Sequence, residues 1–272
     1  MPELPEVEQA ARSLDRAARG RVIRRLAALH PALRRVLPPR RAARAVGRTI
    51  LRVERRAKHQ LVHLSDGGVL HVHFRMAGDW VIGRTDDPLP THARAVLELD
   101  DGTRIALVDP RALSTVALSS HAEHRLPPLG PEPLDAAFDA AVLGAALARR
   151  TGAIKPALLD QRVVAGIGNI YAVEALWQAR IDPRVLAASL GPRRRARLVE
   201  AIRDVVRAAL DAPAGDSDPE EVSRLAVYDR EGERCRRCGS RIKRIVQAGR
   251  STYFCPGCQR SRPLAPPSRP HI

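Results

Sequence analysis

The chain has 272 residues, enough for one large domain or two domains of ordinary size, and 44% of them are apolar. It contains no apolar run of about eighteen residues and does not start with a basic segment followed by an apolar one, which argues against a membrane span and a secretory signal. The net charge of +16 and the pI near 11.2 favour a nucleic acid as partner over a membrane surface. The alternative is a general enrichment in arginine, but that does not explain why acidic residues fail to match it.

Lysine is rare in this arginine-rich chain. Among the 46 basic residues the only lysines are Lys58, Lys155 and Lys243. Lysine supplies a compact ammonium group that arginine does not imitate, so these positions are candidate functional residues. Aromatic residues make up 3% of the sequence, which argues against broad base-stacking surfaces and favours contacts with a nucleic-acid backbone.

The N-terminal segment is predicted to be a helix over residues 4–19. Apolar residues recur there at helical spacing, and Gly20 stands where a helix-ending glycine is expected. Pro2 and Pro5 suit a helix entry. Residues 21 to about 118 then show short alternating stretches, with SDGG and DDG as hairpin signals, and they predict an antiparallel sandwich or barrel.

A proline-rich break at 125–135 separates this part from a helical part. Helical patterns are predicted over 136–150, 154–161, 169–179 and 189–210. Residues 211–224 are expected to form a mobile loop. All four cysteines follow this loop, so the end of the chain forms a separate module.

The cysteines form two CxxC pairs separated by sixteen residues, namely Cys235, Cys238, Cys255 and Cys258. This spacing supplies four thiolates for a tetrahedral Zn²⁺ ion. Two disulfides or four free thiols are the alternatives, and a cytosolic location argues against disulfides. Four protein ligands leave no open position for water, so we expect one structural zinc ion that folds a basic hairpin.

The stretch VVAGIGNIYAVEAL at 163–176 is a glycine-rich turn that leads into a helix. Gly166 and Gly168 permit a tight turn, and Asn169 is expected to cap the helix. Backbone N–H groups at such a helix start can bind a phosphate. Lys155, on the preceding helix, is expected either to add a cation to this phosphate path or to be an ordinary surface residue.

Pro2 becomes a secondary amine once Met1 is removed. Such an amine can attack an electrophilic sugar carbon and form an iminium intermediate. An α-amino pKa lies at about 8 before any environment acts, so a small shift makes the amine available at neutral pH. Glu3 could move protons beside it. The alternative is that Met-Pro is an ordinary start without chemical meaning.

Together these segments resemble the bacterial formamidopyrimidine-DNA glycosylase and endonuclease VIII family. The start MPELPEVE is similar to the formamidopyrimidine branch, LLDQRVVAGIGNIYAVEAL to its helix–two-turn–helix element, and VYDREGERCRRCGSRIKRIVQAGRSTYFCPGCQ to its zinc hairpin. The resemblance covers nearly the whole chain. It implies an α+β multidomain fold with an N-terminal helix, an antiparallel β-sandwich, a C-terminal helical domain with the helix–two-turn–helix, and a four-cysteine zinc-finger β-hairpin.

The predicted domain boundaries follow from the breaks in the sequence and from this resemblance. They are a catalytic β-sandwich domain at 1–125, a linker at 126–134, a helical DNA-binding domain at 135–227, a zinc-finger hairpin at 228–262 and a disordered tail at 263–272.

The resemblance implies a bifunctional DNA glycosylase and AP lyase that flips a damaged base out of the duplex. Pro2 would attack the sugar C1′ and expel the base, and Glu3 would act as general acid and base. The iminium would then permit β- and δ-elimination, which cuts the strand. Lys58 matches the family lysine that binds phosphate beside the lesion, and Glu6 and Glu174 match family acids at the reacting nucleotide.

The resemblance also implies a set of DNA-binding residues. Those that match phosphate-holding positions are Lys155, Asn169, Tyr228 and Arg250. Those that match the wedge filling the hole left by the flipped base are Met76, Arg111 and Leu113. Without the resemblance Met76 would be expected to be a buried gap-filler. His71 and His73 are expected to be packing or surface residues.

Departures from the family pattern bear on the choice of lesion. Leu113 replaces a phenylalanine, Ala112 replaces an arginine, and the 211–227 loop is short. Asp229 replaces a glycine and is expected to tilt the approach to the hairpin. These changes leave the chemistry of Pro2 untouched.

The predicted function is excision of oxidised purines, such as 8-oxoguanine and formamidopyrimidines, in base excision repair. The expected partner is damaged double-stranded DNA, and the protein is expected to be a monomer in the cytoplasm, associated with the nucleoid. One alternative is an endonuclease VIII-like enzyme for oxidised pyrimidines. The other is a non-catalytic zinc-bearing DNA-binding protein on the same scaffold.

Overall fold

The computed structural model describes residues 1–120, 122–212 and 225–260. The predicted tail at 263–272 and most of the predicted loop at 211–224 therefore lie outside the described residues. Within these ranges no helix combines the length and the apolar character needed to cross a membrane. The chain divides into two compact units, one formed by Met1–Glu132 with 208–212 and the other by the remaining described residues.

The first unit begins with helix α1, Leu4–Ala18. Glu3 is its N-cap, and the side chains of Glu3 and Glu6 each accept a hydrogen bond from the other's backbone N–H. The apolar face of α1 is buried in the core of the unit. Gly20 has a φ of 79°, the left-handed conformation expected of a helix-ending glycine.

Two four-stranded antiparallel sheets share one hydrophobic core, which makes this unit a sandwich. The first sheet has the order β1 (Ile23–Ala28), β6 (Ala93–Leu99), β7 (Thr103–Val108) and β5 (Asp79–Arg84). The second has the order β2 (Ile50–Arg56), β3 (His59–Leu64), β4 (Gly68–His73) and β8 (Thr115–Ser120). Ile105 of the first sheet and Leu70 of the second are both buried in this core. Burial of one such side chain contributes about 1.5–3 kcal/mol to the free energy of folding.

The connections in this unit follow the turn chemistry of the sequence. Gly67, with a φ of 80°, closes the turn between β3 and β4, and Gly102, with a φ of 79°, closes the turn between β6 and β7. The segment 31–45 differs from the expected strands. It forms α2 (Pro31–Val36), α3 (Pro39–Ala42) and a 3-10 turn at Ala43–Ala45, because proline is compatible with the first turn of each helix.

The second unit is helical and ends in a hairpin. Its elements are α4 (Ala140–Leu147), α5 (Ile154–Leu159), α6 (Asn169–Gln178), a 3-10 turn at Ala187–Ser189, α7 (Pro192–Leu210), β9 (Lys243–Gln247) and β10 (Arg250–Phe254). Helix α4 is shorter than the predicted 136–150, because the Asp139 side chain accepts the N–H groups of Ala141 and Val142 and caps the helix there. A small core packs α6 against the hairpin through Val173, Ile242 and Tyr253.

Candidate functional site

The start of the chain is fixed to α1. Pro2 directly precedes the N-cap residue Glu3, whose side chain is buried. The Glu3 backbone N–H donates to Glu6 Oε2 at 2.8 Å, so the residues after Pro2 are held in one conformation. Met1 is 40% exposed, and the Pro2 nitrogen becomes an amine only when the Met1–Pro2 peptide bond is cleaved.

Lys58 lies in the two-residue turn between β2 and β3, and Glu132 holds this turn. The Glu132 carboxylate accepts Arg55 Nη1 at 2.8 Å, Arg56 Nη1 at 2.6 Å and the Ala57 backbone N–H at 2.7 Å. Ala57 is buried and has a φ of 55°, which is unusual for a residue with a side chain. The ammonium of Lys58 therefore sits on a fixed hairpin tip.

The same hairpin is tied to α1. Arg55 Nε donates to Glu8 Oε2 at 2.6 Å. Burial raises the pKa of the Glu8 carboxyl, but the hydrogen bonds and charges of Arg55 and Arg12 outweigh it and hold this pKa below its usual range. The predicted nucleophile and the predicted phosphate-binding lysine thus stand on elements joined by an ionised pair.

The loop that carries two predicted wedge residues is organised by Asp109. This carboxylate is fully buried and accepts the backbone N–H groups of Arg111, Leu113 and Ser114 at 2.7–2.9 Å. Burial raises the pKa of the Asp109 carboxyl, but these hydrogen bonds lower it by a larger amount. The pKa therefore lies below its usual range, and the carboxylate stays ionised. Arg111 and Leu113 are exposed, which suits residues that enter DNA.

The third predicted wedge residue lies on a neighbouring turn. Met76 is 38% exposed on the Phe74–Gly78 turn, so the interpretation as a buried gap-filler is wrong. The Ser114 hydroxyl lies 2.9 Å from Phe74 O and 2.8 Å from Asp109 Oδ2. This hydroxyl joins the turn of Met76 to the loop of Leu113 and brings the predicted wedge residues to one edge of the sandwich.

Histidines cluster on one face of the β3–β4 hairpin. His59 Nδ1 lies 2.7 Å from His71 Nε2, and the rings of His59 and His73 are 4.7 Å apart. His124 packs edge-on to His71. His71 and His73 are therefore packing residues, one of the two roles expected for them.

The turn between α5 and α6 is held by a residue that the sequence did not single out. Gln161 Oε1 accepts the Gly166 N–H, and Gln161 Nε2 donates to Ile167 O, both at 2.8 Å. The prediction that Asn169 caps α6 is wrong. Gly168 is the N-cap, and Asn169 is the first helical residue, whose Nδ2 donates to Ser251 O at 3.0 Å. Asn169 faces the zinc hairpin because β10 offers it this carbonyl.

Lys155 and Glu174 are both buried. Lys155 is fully buried in α5, so it is not an ordinary surface residue, while its contact with phosphate stays a prediction. The Glu174 carboxylate accepts the backbone N–H groups of Ala226, Val227 and Tyr228 at 2.8–2.9 Å. These bonds occupy both oxygens, and in this arrangement Glu174 positions the segment that presents Tyr228.

The four cysteines converge as a tetrahedral metal site requires. Their sulfur atoms all lie within 4.8 Å of one another, with Cys235 and Cys258 3.9 Å apart and Cys238 and Cys255 3.4 Å apart. Four thiolates at 2.3 Å from Zn²⁺ would be about 3.8 Å apart, so these residues fit the ion. Burial raises the pKa of the Cys258 thiol to about 12, so this ligand needs a bound cation to ionise at neutral pH.

Trp177, like Gln161, was not singled out by the sequence, and it supports the metal ligands. Trp177, at the end of α6, donates its indole N–H to Cys235 Sγ at 3.4 Å, and the Arg237 guanidinium stacks on its ring at 3.9 Å. Such outer hydrogen bonds orient metal ligands. Helix α6 therefore meets the zinc module at Asn169, at Glu174 and at Trp177.

The hairpin between the cysteine pairs presents Arg250 to solvent. Its two-residue turn consists of Ala248 and Gly249, with φ values of 48° and 72°, the backbone of a tight hairpin turn. Arg250 follows this turn and is exposed. The position suits a cation that binds a DNA phosphate, the role predicted for Arg250.

Three family models match consecutive parts of the chain. Residues 1–116 match the formamidopyrimidine-DNA glycosylase N-terminal domain, 129–219 match the formamidopyrimidine-DNA glycosylase H2TH domain, and 232–260 match the zinc finger found in FPG and IleRS. A formamidopyrimidine-DNA glycosylase of Rhodopseudomonas palustris strain HaA2 is 43% identical over 95% of this chain and 100% of the relative. The chain belongs to the formamidopyrimidine-DNA glycosylase family.

Solved structures of similar proteins share the fold of this family member. The Fpg of Lactococcus lactis, in complex with DNA containing an abasic site, is 32% identical with a TM-score of 0.87 and covers 95% of this chain and 100% of its own. MutM in complex with DNA containing carbocyclic 8-oxo-G is 33% identical with a TM-score of 0.88 and covers 96% of this chain and 100% of its own. The predicted family, α+β fold class, DNA glycosylase activity and structural zinc site are therefore confirmed.

Three residues organise the site although no role was predicted for them from the sequence. They are Asp109, Glu132 and Gln161. The signal for Asp109 was present, since an aspartate before Pro-Arg in a loop is suited to accept N–H groups from the residues that follow. Glu132 and Gln161 offered no such signal, because their partners are set by the fold.

Proposed function

We propose that this glycosylase uses Pro2 to excise oxidised purines from duplex DNA and then cuts the strand at the resulting abasic site. The observation that carries the proposal is the start of the chain. Pro2 is followed by Glu3 and Glu6, which lock each other in a capping box. Once Met1 is removed, this arrangement would hold an N-terminal amine beside a buried carboxyl, the pair that covalent excision requires.

In the proposed reaction Pro2 nitrogen forms a bond to C1′ of the flipped nucleotide as the glycosidic C1′–N bond breaks. The leaving base takes the electron pair, together with a proton that Glu3 donates. The Pro2 nitrogen then loses its proton to the Glu3 carboxylate, and its lone pair forms the C1′=N⁺ iminium as the C1′–O4′ bond breaks and O4′ takes up that proton. Loss of a C2′ proton then expels the 3′ phosphate, and δ-elimination expels the 5′ phosphate, which leaves a one-nucleotide gap.

The other proposed roles follow from the family positions that these residues match and, for some of them, from charge and exposure. Lys58, on its fixed hairpin tip, binds a phosphate beside the lesion. Met76, Arg111 and Leu113 enter the duplex where the base has left.

The residues proposed to hold the flanking phosphates are Lys155, Asn169, Tyr228 and Arg250, and Glu6 supports the reacting nucleotide. Glu174 supports it indirectly, because its oxygens bind the backbone that presents Tyr228.

Oxidised purines are the proposed lesion, and two relatives support this choice. The names of the relatives refer to formamidopyrimidine, and MutM was solved with DNA containing an 8-oxo-G analogue. An enzyme for oxidised pyrimidines is the second candidate, since Leu113 gives a smaller wedge than phenylalanine. We further propose that the protein acts as a monomer on nucleoid DNA in the cytoplasm.

A panel of duplexes tests the proposal, with 8-oxoguanine, a formamidopyrimidine, dihydrouracil and an abasic site compared under single-turnover conditions. Wild type should cleave the purine lesions and the abasic site faster than dihydrouracil. Pro2→Gly should lose most base excision while it still binds the duplex. Preference for dihydrouracil would favour the pyrimidine enzyme, and tight binding without any cleavage of an abasic site would favour a non-catalytic protein.

The affinity for DNA should fall strongly as the salt concentration rises, because arginine and lysine side chains bind DNA phosphates. A plot of log Kd against log salt should have a slope of magnitude roughly 4 to 8, which corresponds to several neutralised phosphates. A flat response would contradict backbone binding by the basic residues.

A further inference from the structure

Asp229 occupies a strained position at the entrance to the zinc module. It follows the segment that Glu174 holds and precedes the first cysteine pair. Its φ is 58°, in the left-handed region that favours glycine and that aspartate tolerates better than most residues. An exposed carboxylate is also unexpected on a hairpin that carries basic residues for DNA.

The carboxylate of Asp229 has a defined partner. Tyr253 OH donates to Asp229 Oδ1 at 3.0 Å. Tyr253 is buried to 8% exposure, so its hydroxyl needs a hydrogen-bond partner inside the module, and this bond supplies one.

Tyr253 connects this bond to the two residues assigned to DNA on the module. Its ring packs edge-on against the Tyr228 ring, with centroids 5.3 Å apart and planes at 65°. It lies on β10, the strand that Arg250 begins, and pairs with Arg244 across the hairpin. A shift of the Tyr253 ring would move Tyr228 directly and would tilt the strand of Arg250.

We propose that Asp229 is a positioning residue that sets the orientation of Tyr228 and Arg250 toward DNA by holding the hydroxyl of Tyr253. The inference rests on the proposed DNA-binding roles of those two residues. Asp229 thereby stabilises the bound geometry although its charge opposes the phosphates. The competing explanation is that Asp229 only adds a negative charge and weakens binding.

Four variants separate these explanations: Asp229→Gly, Asp229→Asn, Tyr253→Phe and the double variant Asp229→Gly/Tyr253→Phe. The asparagine keeps an oxygen that can accept the Tyr253 hydroxyl, whereas glycine relieves the backbone strain and removes the acceptor. The readouts are Kd for a duplex with a tetrahydrofuran abasic analogue, the single-turnover excision rate at saturating enzyme, and bound zinc per chain.

We expect Asp229→Gly and Tyr253→Phe each to raise Kd by about three- to tenfold, the range that corresponds to the net contribution of one ordinary hydrogen bond. The double variant should be no weaker than either single variant, because both remove the same bond. Asp229→Asn should stay within about twofold of wild type, and the saturated rate and the zinc content should not change in any of them.

Tighter binding by both Asp229→Gly and Asp229→Asn would overturn the proposal and leave only the charge effect. Additive losses in the double variant would also overturn it, because the two residues would then act separately. A wild type without preference for the abasic duplex over an undamaged one would instead contradict the proposed function itself.

Discussion

Each unit of the protein holds a predicted DNA-binding segment with one buried carboxylate, but the two carboxylates act over different distances along the chain. Asp109 accepts N–H groups from residues two, four and five positions further on. Glu174 accepts N–H groups from residues 52 to 54 positions further on. The first is a local turn on a sandwich, and the second closes a long loop.

The difference shows what each segment needs in order to form. The loop of Asp109 is built on strands that share a large core, so its order follows from the sandwich. The segment held by Glu174 adjoins a small core that includes two of the zinc ligands. Closure of a long loop costs entropy, and this small core supplies little to offset it, so we expect the segment and the zinc hairpin to depend on the metal. The helical part of the same unit buries further apolar side chains, among them Phe138, Leu143 and Ile202, and does not need the metal in the same way.

Zinc removal should have the largest effect and should separate the two units. A chelator should lower affinity for abasic-analogue DNA by at least about a hundredfold, because metal binding supplies much of the folding free energy of small zinc modules. The β-sheet circular dichroism of the sandwich should persist.

Re-addition of Zn²⁺ should restore binding and serves as the control. Loss of the sheet signal together with the metal would show that the sandwich also depends on zinc, so that the two units do not differ in this respect.

Replacement of Glu174 should have the next largest effect. Glu174→Ala leaves three buried N–H groups without an acceptor and should cost about 3–5 kcal/mol in the unfolding of the second unit. Glu174→Gln should cost less, because one oxygen remains. Urea unfolding followed by tryptophan fluorescence in a Trp80→Phe background, where Trp177 is the remaining tryptophan, measures this loss.

The kinetic consequence distinguishes positioning from catalysis. A positioning role predicts that Glu174→Gln raises Kd for lesion DNA and leaves the excision rate at saturating enzyme nearly unchanged. A fall in the saturated rate with unchanged Kd would support the predicted catalytic role of Glu174 instead.

Replacement of Asp109 should have a smaller effect on stability, since its partners are local. Asp109→Asn places an amide N–H against backbone donors and should cost about 1–3 kcal/mol. Its effect on excision should exceed its effect on stability, because Arg111 and Leu113 lose their support. Single-turnover excision at a temperature well below Tm measures it. The matched control is Asp101→Asn, because the Asp101 carboxylate also accepts a local backbone N–H but does so on the turn between β6 and β7.

Acid should weaken the sandwich through the histidine cluster. Burial, followed by the charges of neighbouring histidines and Arg75, lowers the pKa of His59 to about 3 and those of His71 and His73 to about 4. The unfolded chain takes up protons below about pH 6.5 while the folded chain does not, so stability is full above that pH and declines toward pH 4.

The partial exposure of these rings reduces the expected loss to about 1–2 kcal/mol between pH 7 and pH 5. The substitution His71→Val should flatten the pH dependence of Tm, and His92→Asn, at an exposed position, should not. Equal pH profiles for wild type and His71→Val would show that the cluster does not control acid stability.

The sequence predicted those features that depend on local geometry. The zinc ligands are predicted from the two CxxC pairs, because the short spacing within a pair allows both of its cysteines to bind the same metal ion. Helix α1 follows from its apolar period and from Gly20, and the hairpins follow from Gly67 and Gly102. These signals require no knowledge of the fold.

The features that sequence reasoning missed depend on residues far apart in the chain. Glu132 binds Arg55 and Arg56 across more than 70 positions, so its role appears only when the sandwich has formed. Asn169 was expected to cap α6, but Ser251 O is its actual partner. Lys155 is buried because tertiary packing overrides the preference of lysine for the surface.

The proposed reaction depends on covalent attachment of Pro2 to the damaged nucleotide. Borohydride trapping with 8-oxoguanine DNA, followed by peptide mapping of the adduct by mass spectrometry, detects this bond. We expect Met1 to be absent from the adduct and the reduced nucleotide to be bound to the Pro2 nitrogen. An adduct on Lys58 or another side chain, or efficient trapping by a chain that retains Met1, would contradict the proposed reaction.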